Sequence, residues 1–155
     1  MYKGLLHLHS FLRWVILILF LVAIYKSLAD RNKPFGPGHR KTGMFLMIAC
    51  DIMLLLGLYQ WFTGGKGYNL FKEKGFSEVM KTPLYRFFAV EHITAMIIAI
   101  ILVHVGYGYA KKNVSDSVKH KRTILFFGLA LLIVLISIPW PFRAVGIGRT
   151  WFPGM

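Results

Sequence analysis

The sequence predicts an all-α protein, a four-helix transmembrane up-down bundle, and three observations predict it. The 155 residues are 56% hydrophobic with a mean hydropathy of +0.57, too apolar for an ordinary soluble domain. Four runs, at about 5–27, 43–62, 86–109 and 123–141, approach the ~20 apolar residues that a helix needs to cross a bilayer core. Between them lie short polar stretches that hold most of the nineteen Lys and Arg residues, against six Asp and Glu. One membrane domain over residues 1–155 is the natural division. In a soluble protein the formal net charge of +13 would suggest nucleic acid. Beside apolar spans the same charge contacts anionic headgroups, and the basic loops lack aromatic interleaving, so nucleic acid is set aside and the lipid bilayer is the expected partner.

The first span opens with Gly4-Leu5-Leu6-His7-Leu8-His9-Ser10-Phe11-Leu12-Arg13-Trp14, which places two histidines and an arginine where a membrane helix should be greasy. An ionisable residue inside a bilayer costs a few kcal/mol, so it faces a partner, a cavity or a cofactor. His9 and Arg13, four apart, share a face, whereas His7 lies about 200° round from His9. The run is long and has no small-residue cleavage site, so it is expected to stay as an anchor. Lys33-Pro34-Phe35-Gly36-Pro37-Gly38 makes a turn, and His39-Arg40-Lys41 precedes the second span. That span carries Asp51 about two turns inside, and Gly57, where a neighbouring helix or a flat ligand can come close.

Residues 63–85 form the longest loop. Phe76, Val79 and Met80 fall at helical spacing there and predict a short interfacial helix, with Ser77 as its cap. The third span carries Glu91-His92 near its start and His104 near its end. Twelve residues separate the two histidines by about 18 Å and about 120°, so they sit in opposite halves of the membrane. Lys111 to Arg122, which includes His120, reads as a solvated basic loop. The fourth span is uniformly apolar up to Pro139-Trp140-Pro141-Phe142-Arg143, where it ends among aromatics. Tyr107, Tyr109, Trp61 and Trp140 read as interfacial belt residues. The first and third connections carry ten Lys and Arg residues against eight on the opposite side, which predicts termini facing outward, to the periplasm if the membrane is a bacterial inner membrane.

An up-down bundle brings His9 and His92 to one depth. Two imidazoles about 4 Å apart through a metal are what a b-type haem iron needs, and Arg13 and Arg143 lie near enough to reach its propionates. The plainer reading has each histidine hydrogen-bonded to a backbone carbonyl. His39 with His104 is the one pair available for a second haem. Asp51 has three readings: a structural pair with Arg13, a proton relay with His104, or a wall of a quinone or proton pathway. Glu91 either orients His92 or, more simply, pairs with Arg86 or Arg143. Cys50 is a single cysteine and carries no disulfide.

The block from Gly4 to Trp14, with Val90-Glu91-His92-Ile93-Thr94 and Ile138-Pro139-Trp140-Pro141-Phe142-Arg143, resembles a family of short four-span bacterial membrane proteins labelled "cytochrome B", over nearly the whole chain. A looser similarity links it to the small di-haem cytochromes b that oxidise quinol in four-helix bundles. Those carry histidines on three helices, two of them sharing a face on one helix. Here Asp51 stands in the interior of the second span, the fourth span has no histidine, and His92 and His104 diverge in angle. The resemblance implies haem b, and these departures leave a single haem at the outer end, or none. The expectation is a cytochrome-like electron-transfer protein that exchanges electrons with a quinol. The alternative is a haem-free structural or assembly subunit of a respiratory complex, and a third reading is a proton or solute pathway lined by Asp51, His104 and Arg13.

Overall fold

Four helices in the computed structural model are long and apolar enough to cross a membrane. The structure describes residues 2–144 and 146–151. Helix α1 runs Tyr2–Ala29 and α2 Pro37–Thr63, followed by two short helices, α3 (Tyr68–Lys74) and α4 (Phe76–Lys81). The third span is continuous from α5 (Pro83–Arg86) through a π-helical turn, Phe87–Glu91, into α6 (His92–Lys111), and α7 (Asp116–Ser137) is the fourth. No strand occurs among the described residues.

The four expected spans are present with shifted ends. Pro37 sits in the first turn of α2, where its missing N–H has no helical partner to lose, so this helix starts six residues before the apolar run. Helix α7 begins seven residues before its expected start, with Asp116 in its first turn, and stops at Ser137 because Pro139 and Pro141 cannot donate to the last carbonyls. In the long loop two short helices replace the single one expected. They are divided at Gly75, whose φ of +80° only glycine adopts readily, and Ser77 lies inside α4 instead of capping it.

Helix α1 packs beside α2 and α7, and α6 beside α7 and α2, so consecutive spans are neighbours and the ring closes. Helices α1 and α6 therefore oppose each other across one diagonal, and α2 and α7 across the other. The packed core fills one half of this bundle. Phe20 and Phe127 meet edge-to-face at 6.3 Å, both fully buried, with Leu46 and Val103 also sealed from solvent. Small residues let the backbones close in: a Cβ on Gly106 would lie 2.8 Å from the Phe127 ring, and one on Gly43 3.3 Å from the Tyr107 ring. Tyr107 is accordingly a core residue and not part of an interfacial belt.

The other half is loose. No side chain of α1 before Ile16, of α2 after Cys50 or of α6 before Ala99 is fully buried. His9, Arg13, Asp51 and Gly57 are polar or small positions on these stretches, and the apolar residues beside them, Leu5, Leu12, Met53 and Ile93 among them, are only partly buried. This loose half is the end that holds His9 and His92.

Candidate functional site

His92 is positioned by two backbone irregularities. The π-helical turn before it places five residues where a regular helix would close after four, and the His92 N–H bonds back to the Phe87 carbonyl. Such turns recur at functional sites because they rotate the side chains that follow. Trp61 on α2 fastens the turn by donating its indole N–H to the Ala89 carbonyl at 3.0 Å. The second irregularity is the end of α7. Pro139 and Pro141 are the residues four beyond Leu135 and Ser137, and neither has an N–H to offer. Side chains supply the donors instead. The Trp140 indole reaches the Leu135 carbonyl at 2.8 Å, the Arg143 guanidinium takes the Ile136 carbonyl, and His92 Nδ1 takes the Ser137 carbonyl at 2.8 Å. The Pro-Trp-Pro-Phe-Arg block thus ends α7 and itself supplies two of the three side chains that cap its last carbonyls, Trp140 and Arg143.

A carbonyl only accepts, so Nδ1 of His92 carries the proton and Nε2 keeps its lone pair. This is the tautomer of an imidazole prepared to ligate a metal through Nε2, with its ring orientation fixed by the backbone bond. His9 is half-buried on the diagonally opposite α1, at the same end of the bundle. Its Nε2 lies 3.6 Å from where a Cβ on Gly57 would stand, so glycine keeps that side of the ring open. His9 makes no hydrogen bond among the described residues. Two imidazoles thus stand on one diagonal at the same end of the bundle, one fixed through Nδ1 and the other without a hydrogen-bond partner among the described residues. Two cavities, of about 240 Å³ and 140 Å³, lie elsewhere, the first against α7 at the opposite end and the second beside Lys66, Tyr85 and Phe88.

The remaining expected residues separate. Arg13 donates Nη2 to the Trp151 carbonyl at 2.8 Å, and the Trp14 indole joins it there at 3.0 Å. Trp151 stacks on Trp14 at 6.2 Å, so the tail folds over this end of the bundle. Arg143, besides its bond to Ile136, lies over the Phe87 ring at 5.0 Å. Both arginines are therefore engaged with the backbone, which the propionate reading did not anticipate, although the buried Nε of Arg13 has no partner among the described residues. His7 is exposed, as its angle from His9 requires. Glu91 pairs with Arg86 at 2.6 Å, the plainer of its two readings. Asp51 does not pair with Arg13. It lies 3.3 Å from His104 Nε2 on the α2–α6 face, and both side chains stay nearly half exposed.

His39 and His104, the one pair available for a second haem, do not meet among the described residues: His104 is held by Asp51 and by its own helix. At the opposite end His39 meets His120 instead, with ring centroids 4.9 Å apart and Phe35 against both. His120 lies in α7 and is fully buried, not in a solvated loop. The spacing of His120, Thr123, Phe127, Ala130 and Val134, the buried stripe of α7, would have located it. His39 Nε2 comes within 3.1 Å of Asp30. Asp30 sits in the turn outside the spans, where a hydrogen bond from Lys33 at 2.8 Å holds its carboxyl below the usual carboxylate range. These rings touch edge to face and leave no gap between them.

Fold and site together define a multi-pass membrane protein, an all-α bundle of four spans with opposed histidines at one end. Comparison with protein-family models, curated proteins and solved structures gives no match to this chain.

Proposed function

We propose that this protein is a b-type cytochrome of a bacterial cytoplasmic membrane, holding one haem between His9 and His92 and exchanging electrons with a quinol. The observation that carries the reading is the bond from His92 Nδ1 to the Ser137 carbonyl, which leaves the Nε2 lone pair available on the diagonal from an imidazole that makes no hydrogen bond among the described residues. Haem b, when bound, supplies a one-electron iron couple. The chain's own residues do the rest. Ser137 sets the tautomer and basicity of one ligand, Gly57 keeps space beside the other, and Trp14, Trp140 and Trp151 cover the end against water. The buried Nε of Arg13 supplies positive charge for a propionate. Glu91, exposed and paired with Arg86, is placed to pass protons at that end. The bias of ten cations against eight supports termini on the periplasmic side.

The test is a reduced-minus-oxidised spectrum of the purified protein. A Soret band that is lost in both His9→Ala and His92→Ala supports the cytochrome. A colourless preparation after haem supplementation refutes it.

One observation favours a second reading, a haem-free subunit of a larger membrane complex. Asp51, fourteen residues into α2 and about 21 Å along it, forms a half-exposed pair with His104 on a face where lipid would make both expensive. A partner subunit covering that face would remove the cost. Co-purification that is lost on Asp51→Leu, with no haem spectrum in either form, would select this reading.

A further inference from the structure

The end of the bundle away from His9 carries a dense positive charge, and most of it is engaged. Lys33 pairs with Asp30 at 2.8 Å and Lys119 lies 3.9 Å from Asp116. Lys111 lies over Tyr107, while Lys112 and Arg122 lie over Tyr109. Lys26 donates to Thr42. Among the described residues Arg31, Arg40, Lys41 and Lys121 make no side-chain hydrogen bond, ion pair or ring contact, and of these Arg31 and Lys121 line one cavity of about 240 Å³ between the end of α1 and the start of α7. Asn32 and Ser117 add polar groups to its wall, and Leu28 and Ile124 give it an apolar side. His120, fully buried, completes the lining. Its Nε2 meets the Lys33 carbonyl at 3.2 Å and its Nδ1 has no hydrogen-bond partner among the described residues.

Two unpaired cations across one small cavity are a site for a compact anion with several oxygens, because charge-assisted bonds to both cations can form at once. The apolar side says which anion. Leu28 is the upper end of an exposed stripe, Leu21, Tyr25 and Leu28, which runs down the outside of α1 at helical spacing. A molecule with its phosphate between Arg31 and Lys121 would lay a hydrocarbon chain on that stripe at the depth where acyl chains begin. Clustered Lys and Arg at the edge of a span recognise lipid phosphates by this chemistry.

We propose that this cavity binds the phosphate of an anionic glycerophospholipid, with Arg31 and Lys121 as its cationic contacts and the Leu21–Tyr25–Leu28 stripe as the track for an acyl chain. The site is independent of the haem reading and lies at the opposite end of the bundle.

The full chain in a neutral detergent tests it, through its unfolding temperature during titration with dihexanoyl phosphatidylglycerol, dihexanoyl phosphatidylcholine or inorganic phosphate at constant ionic strength. A ligand bound only by the folded state raises that temperature. Phosphatidylglycerol should do so saturably. The half-saturating concentration should rise at least tenfold in R31Q/K121Q and in K121Q alone, and stay at the wild-type value in R40Q/K41Q, which loses equal charge from exposed positions at the same end. All these side chains are exposed, so the variants should unfold at the wild-type temperature without lipid. An equal effect of phosphatidylcholine, an equal loss in R40Q/K41Q, or no rise with phosphatidylglycerol would overturn the proposal. An equal rise with inorganic phosphate would assign the cavity to a free anion and overturn the lipid.

Discussion

Removing each imidazole in turn separates its structural duty from its ligand duty, because the structure gives the two histidines unequal structural duties. His92 is the donor to a carbonyl that Pro141 has left without one, so His92→Ala leaves a polar group unsatisfied inside the bundle. That penalty is about 1–3 kcal/mol. His9 is half-buried and bonds to nothing among the described residues, so His9→Ala should cost less than about 1 kcal/mol. His92→Asn provides a finer probe: its amide can still donate toward the Ser137 carbonyl, but it is a poor iron ligand. The assay has two parts, reversible unfolding of the haem-free protein in mixed micelles and a haem titration followed at the Soret band. Stability should fall in the order wild type and His9→Ala, then His92→Asn, then His92→Ala, whereas all three variants should lose the haem spectrum alike. Equal destabilisation by His9→Ala and His92→Ala would refute the argument that only one imidazole serves the backbone. A Soret band retained in His92→Asn would refute ligation by His92.

Two further outcomes follow from the packing and the charges. Gly106→Ala should destabilise by about 1–3 kcal/mol, because its Cβ would meet the Phe127 ring at 2.8 Å and Phe126 at 3.0 Å in a full core. Gly108→Ala, with nothing within 4 Å, should be neutral or stabilise by up to about 1 kcal/mol through helix propensity, and micellar unfolding of the pair checks the contrast. Lys33 holds the Asp30 carboxyl below its ordinary range, so what that pair adds to stability is complete above the unfolded carboxylate value, near pH 4. It is lost as pH falls further, through the lower folded-state value. Asp30→Asn should therefore flatten the acid limb of the unfolding temperature against pH; an unchanged limb would show that the pair does not contribute.

The number of spans could be read directly, because membrane length and hydropathy are local properties of consecutive residues. So could the shared end of His9 and His92, since an antiparallel bundle converts sequence distance into depth. Glu91 with Arg86 was also within reach, being five residues apart on one continuous helix. Pairings between spans were less legible. Depth alone does not distinguish Arg13 from His104 as the partner of Asp51. Helix rotation does, and rotation depends on packing across all four faces. Arg143 read as a propionate contact because an arginine near a histidine suggests an anion, while the vacated carbonyls that hold it appear only once Pro139 and Pro141 end the helix.

By itself the sequence determined the class of architecture, the up-down order of the spans and the shared end of His9 and His92. Apolar run length, chain direction and rise per residue suffice for those. The tertiary structure decided which residues meet: His104 with Asp51, and His120 buried against His39. It also decided that one half of the bundle is packed and the other loose. The physical reason is that facing is a property of rotation about helix axes. A single π-helical turn, two prolines and a few glycines set that rotation through contacts far apart in the chain, so no window of neighbouring residues contains it.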